Sequence, residues 1–149
     1  MSKPRHRATI PGGSADEVEA AFYEALQTGN LEQLMACWAD EDDIVCVHPS
    51  GGPRLVGAAA IRGSFENMFI QGTISARPSR VRRVSSFGSA VHSVVEQVTV
   101  MTPDGIQEVW IVATNVYIKT VQGWRMVAHH ATAGRKERVE NTIPGQLLH

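Results

Sequence analysis

From Ser14 to Gly29 apolar residues recur at helical spacing. Val18, Ala21, Phe22, Ala25 and Leu26 share one stripe, Ser14 and Glu17 form a capping box, and Gly29 supplies a stop, so the segment predicts a helix. Asn30 and Gln33 repeat the capping logic ahead of Leu31, Leu34, Met35 and Trp38, a second, shorter helix ended by the acidic run Asp40 to Asp43. Ile44 to Val47 reads as a short buried strand that delivers His48 to a glycine-rich turn between Pro49 and Pro53. After Gly57 the helical period returns through Ile61, Phe65, Met68 and Phe69 and stops near Gly72. Beyond it the pattern is sheet: runs rich in Val, Ile and Thr cover about 74–85, 89–101, 106–120 and 123–132, with hairpin turns at Pro103-Asp104-Gly105 and Gln122-Gly123.

Helices first and long antiparallel strands afterwards predict an α+β layout with the helices on one face of a curved sheet. In 106–120 both parities are apolar: Ile106, Trp110, Val112, Val116 and Ile118 on one face, Val109, Ile111, Ala113 and Tyr117 on the other. One face meets the helices. Three short helices leave the other bare, so a homodimer through the outer face of the sheet is expected.

Composition narrows the class. The chain has 149 residues, enough for one domain, with 43% hydrophobic and 19% charged residues. Fourteen Lys+Arg against 15 Asp+Glu give a net charge of −1, which leaves no electrostatic footprint for nucleic acid or an anionic membrane. The valine-rich runs are broken by His92, Glu96 and Thr99, short of a membrane span. No apolar segment follows Lys3, Arg5 and Arg7, so the expected location is the cytoplasm. Residues 1–13 read as a flexible basic lead-in, 14–133 as the domain and 134–149 as a tail. Cys37 and Cys46 are too few for a disulfide framework and read as small buried thiols.

Strand parity selects the polar residues that share apolar faces. Glu96 lies between Val94 and Val98 on the drier face of 90–100; there it either finds a partner or has its pKa raised into the range useful for proton transfer. On the last strand Trp124, Met126, Ala128 and His130 share one face, which sends His130 inward as a general base, a donor to a carbonyl or a core histidine satisfied by a neighbour. His129 then faces outward, toward a subunit contact. Asn115 is an amide in an apolar run that either orients a ligand or holds Glu96 or His130. Trp38, His48 and Phe65 are the remaining candidates to line a pocket. No spacing matches a metal site, a nucleophile elbow or a phosphate loop, and no cofactor is expected.

Ala21-Phe22-Tyr23 with Trp38, the strand end Val45-Cys46-Val47-His48-Pro49, Gly57 with Ile61, Glu96, Ala113-Thr114-Asn115, and Trp124-Arg125-Met126-Val127 through His129-His130 resemble a bacterial SnoaL-like family of the nuclear transport factor 2-like superfamily. The likeness covers about residues 14–133. It implies a cone-shaped, cystatin-like α+β fold in which a strongly curved antiparallel sheet wraps around three N-terminal helices, leaves a cavity at one end and dimerises. The superfamily hosts isomerases, dehydratases, cyclases, hydrolases and modules without chemistry. Its isomerases' tyrosine-plus-two-carboxylate set and its cyclases' catalytic aspartate find no match here, and Thr132 stands where the motif usually ends in serine. The expected function is an apolar pocket for a small organic molecule, with Glu96 or His130 carrying a proton in isomerase-, dehydratase- or cyclase-type chemistry; the alternative is a non-catalytic binding or dimerising module.

Overall fold

The computed structural model describes residues 9–135, so most of the expected lead-in and tail lies outside the described residues. Helices α1 (Ala15–Thr28), α2 (Leu31–Ala36) and α3 (Ala58–Ile70) stand before and among strands β1 (Val45–Val47), β2 (Leu55–Val56), β3 (Ala76–Ser85), β4 (Ser89–Thr102), β5 (Gly105–Thr120) and β6 (Gly123–Ala133). The Ser14 side chain accepts from the Glu17 amide at the start of α1, Asn30 accepts from the Gln33 amide at the start of α2, and Gly29 ends α1 in a left-handed conformation. No helix among the described residues is long and apolar enough to cross a membrane.

The strands form one sheet in the order β2-β1-β6-β5-β4-β3. Two features differ from the expected antiparallel sheet. Leu55–Val56, between the expected turn and the next helix, pairs with β1, and β1 joins β6 in parallel, with Cys46 opposite His129. The α3 crossover follows Gly57, whose φ of 87° sits in the region that disfavours a side chain.

Helix α1 lies across the sheet. Its stripe of Val18, Phe22, Ala25 and Leu26 is buried with Leu34, Ile61, Phe65, Val94, Tyr117 and Met126. Each large apolar side chain contributes about 1.5–3 kcal/mol by leaving water. Polar residues therefore reach this interior only by displacing that kind of gain, and each needs a partner there.

Two bulges set the faces. On β3 the two residues between Ser79 and Arg82 face the single Val94 on β4, and Arg80, one of the two, has φ 49°. On β6, Met126 lies opposite Tyr117 and Ala128 opposite Val116, so Val127 is an extra residue. A bulge inserts one residue, bends the strand and reverses the in-out parity beyond it. The expected faces of the last strand are thereby corrected: His129 is buried inside at 5% exposure, whereas His130 is exposed on the outer face.

Candidate functional site

Helix α1 and strands β4, β5 and β6 bring polar groups together in the apolar interior. Tyr23 on α1 donates its hydroxyl proton to Glu96 Oε2 on β4 at 2.7 Å. The Tyr23 oxygen in turn accepts from Asn115 Nδ2 on β5 at 3.0 Å. That fixes Asn115 Oδ1 as the acceptor facing His129 Nδ1 on β6 at 2.6 Å, so His129 must carry its proton on Nδ1. Every donor thus points the same way, from His129 through Asn115 and Tyr23 to the Glu96 carboxyl. Asn115 is fully buried, and Tyr23 and Glu96 are 2% and 4% exposed.

The charges follow from burial. Desolvation raises the Glu96 pKa above the usual carboxylate range; the Tyr23 hydrogen bond pulls it down, and the Glu19 charge nearby raises it again. Burial, then the Glu96 charge and hydrogen bond, hold Tyr23 protonated well above the ordinary phenol range. Burial, with the neighbouring His48 and His130, pushes His129 down to about 3, so its ring is neutral at pH 7. A carboxyl shifted toward neutrality and steadied by a phenol that stays protonated is able to exchange a proton with a bound molecule.

A second cluster adjoins the first, one helical turn earlier on α1. Glu19 Oε2 meets His92 Nδ1 at 2.7 Å and accepts from the Tyr117 hydroxyl at 3.2 Å. His92 Nε2 lies 3.9 Å from Asp16 Oδ1, which also takes the Arg83 Nε proton at 2.7 Å. The cluster therefore leads from a surface ion pair to the carboxylate that acts on Glu96.

Of the sequence candidates, Glu96 and Asn115 meet in the first network and His130 does not. Phe65 is buried against Phe22 and Phe69. His48 is half-buried at the end of β1, edge-on to Phe65 with ring centroids 5.1 Å apart. Trp38 is 5% exposed, and its Nε1 is the one buried side-chain polar atom without a partner among the described residues. Sequence reasoning missed Tyr23 and Glu19. Their signal was a carboxylate and a phenol four residues apart on the apolar stripe of α1, where a solvated face has no place.

No group of three or more His, Cys, Asp or Glu able to hold a metal occurs among the described residues. Concavities occur elsewhere among the described residues. A groove of about 380 Å³ lies between Thr9–Pro11 and α1, and one of about 240 Å³ lies beyond the end of α3.

A family model described as a SnoaL-like domain matches residues 16–134. Among solved structures the chain is similar to a candidate calcium/calmodulin-dependent protein kinase type II association domain from Thiobacillus denitrificans, at 30% identity and TM-score 0.75 over 86% of this chain and 100% of that one. It is similar to a candidate dehydratase from the NTF2-like family of Streptomyces avermitilis at 26% identity and TM-score 0.70, over 78% of this chain and 91% of that one. The S. rosetta CaMKII hub, at 18% identity and TM-score 0.66 over 84% of this chain and 100% of that one, shows the fold alone. No curated protein matches.

Proposed function

The chain belongs to the SnoaL-like domain family, and on that premise we propose that its interior takes up a small organic molecule and moves a proton on it, with Glu96 as the proton carrier. The observation that carries this reading is the one-way hydrogen-bond chain ending on Glu96, a carboxyl whose burial raises its pKa. Tyr23 and Asn115 position that carboxyl, and this reading assigns Trp38, His48 and Phe65 to the wall of the binding space. The unanswered Trp38 N–H supports the reading, because a ligand oxygen would relieve the roughly 1–3 kcal/mol that such an orphan costs. His129, rather than His130, is the interior histidine of this site.

The reaction class is proton transfer at carbon next to a carbonyl, as in isomerisation, dehydration or cyclisation. The test is deuterium incorporation from D2O into a panel of small ketones and enones, followed by proton NMR. Incorporation above buffer that Glu96→Gln abolishes without unfolding supports the assignment. Incorporation that Glu96→Gln leaves unchanged overturns it.

A second reading is a non-catalytic oligomerising module, favoured by the likeness to a kinase association domain and by the position of both grooves away from Glu96. In either reading the outer face of the sheet, which exposes Val84, Val91, Met101 and Ile106, is covered by a second copy in a cytoplasmic homodimer. Light scattering of wild type and Val91→Asp tests this: a dimer that the charge splits supports the interface, and a wild-type monomer refutes it.

A further inference from the structure

The end of β1, whose His48 the first reading assigns to the pocket wall, meets the middle of α3 at Ser64, a hydroxyl that neither proposed reading uses. His48 Nε2 lies 2.8 Å from Ser64 Oγ. A serine inside a helix commonly returns its hydroxyl proton to the carbonyl four residues back, as Thr28 does to Glu24 at 2.9 Å. Ser64 instead holds its hydroxyl against a histidine from another element. Both side chains are half-buried, so the pair is held by the fold yet open on one side. Phe65, edge-on to the imidazole, fixes the ring plane. Gly63 beside Ser64, and Gly51 and Gly52 after His48, have open space where a side chain would stand.

We propose that Ser64 and His48 form a nucleophile and general-base dyad that cleaves small carboxylic esters at this rim. With the imidazole proton on Nδ1, the Nε2 lone pair accepts the Ser64 proton. The Oγ attacks the ester carbonyl carbon as that proton passes to Nε2. The bond to the alkoxy oxygen breaks, the leaving group takes the proton from Nε2, and the acyl group stays on Ser64. Water then attacks the acyl-serine, again losing its proton to His48, and releases the acid with Ser64 restored. The sum is ester plus water giving acid plus alcohol, and no other reactant is needed. Burial lowers the His48 pKa from 6.5, so the base is already neutral at pH 7.

The full chain is incubated with a fluorophosphonate probe, whose phosphorus takes the serine oxygen while fluoride leaves, and the modified peptide is located by mass spectrometry. The expected result is an adduct on Ser64, forming half-maximally below pH 6.5, and at least ten-fold slower formation in His48→Phe, which keeps an aromatic ring against Phe65. Turnover of 4-nitrophenyl acetate falls by the same factor in Ser64→Ala. Because Ser64→Ala leaves His48 without its partner, Ser64→Cys provides an independent arm: the introduced thiol alkylates with iodoacetamide at neutral pH at least ten-fold faster than when His48→Phe is added. Absence of an adduct on Ser64, an adduct rate indifferent to His48→Phe, or ester turnover unchanged in Ser64→Ala overturns the proposal.

Discussion

Tyr23→Phe removes one oxygen atom from the interior and nothing else. The ring stays, so no cavity opens, but Glu96 Oε2 loses its donor and Asn115 Nδ2 loses its acceptor in a place where Tyr23 and Asn115 are 2% and 0% exposed. Each orphaned buried group costs about 1–3 kcal/mol, and the upper end applies to an ionised carboxylate. The expected loss is about 2–4 kcal/mol at pH 8, a large share of the ~5–15 kcal/mol that holds a domain together. At about 3 °C per kcal/mol the melting temperature falls by roughly 6–12 °C. Urea unfolding followed by circular dichroism, with an unchanged slope, measures it.

The pH dependence separates this account from a general loosening of the core. The Tyr23 bond opposes the rise that burial imposes on the Glu96 pKa, so the variant carboxyl titrates higher still. A carboxyl whose folded pKa lies above its unfolded value binds more protons in the folded state. Its contribution is therefore greatest below about 4.5 and is lost as pH climbs through the folded pKa. The cost of Tyr23→Phe is thus smallest near pH 4.5, where Glu96 is protonated, and grows toward pH 8. In a Glu96→Gln background the cost shrinks and its pH dependence disappears. A loss under about 0.5 kcal/mol, or one equal at both pH values and in both backgrounds, would refute the reasoning.

His129, held near 3 by burial, binds a proton more readily when unfolded; its own contribution to stability therefore drops by about 3 kcal/mol between pH 6.5 and 4, and His129→Gln removes that part of the acid arm in urea titrations. His130→Ala, on the exposed side of the same strand, shifts stability by less than about 0.5 kcal/mol at pH 7. The Cys37 and Cys46 thiols, pushed up to about 12 by burial, stay unreactive toward a disulfide-exchange reagent at pH 8, and both react once urea unfolds the chain. Gly57→Ala costs about 1–2 kcal/mol because its φ of 87° disfavours a side chain while the nearest atom, the Asp42 carbonyl oxygen, stands at an ordinary 3.6 Å.

The α+β layout was legible because its signals are local. Ser14, Asn30 and Gly29 act within one helical turn, and the hairpin at Pro103-Asp104 is closed by Thr102 opposite Gly105. Glu96 and Asn115 were legible as polar residues in apolar runs, since period-2 alternation holds along unbroken stretches of β4 and β5. The β2 strand was not, because Leu55–Val56 pairs only with Cys46 and Val45, nine and eleven residues away, and has no alternation of its own. Tyr23 and Glu19 became meaningful only when α1 was laid over His92, Glu96 and Asn115, contacts 73 to 92 residues distant in the chain.

The inversion of His129 and His130 has the same origin and a larger consequence. Alternation counts residues, and one uncounted residue reverses every assignment after it. Val127 is that residue, and nothing in Met126-Val127-Ala128 distinguishes it from regular strand. The interior chemistry depends on it: only with His129 turned inward does Asn115 Oδ1 find a donor, which leaves Nδ2 to face Tyr23 and commits the tyrosine proton to Glu96. A β6 without the bulge would put His130 inside but opposite Ala113, with Ala128 opposite Asn115, and the chain of donors would lose its first member. The bulge thus fixes both the identity of the buried histidine and the direction of the hydrogen bonds that reach the carboxyl.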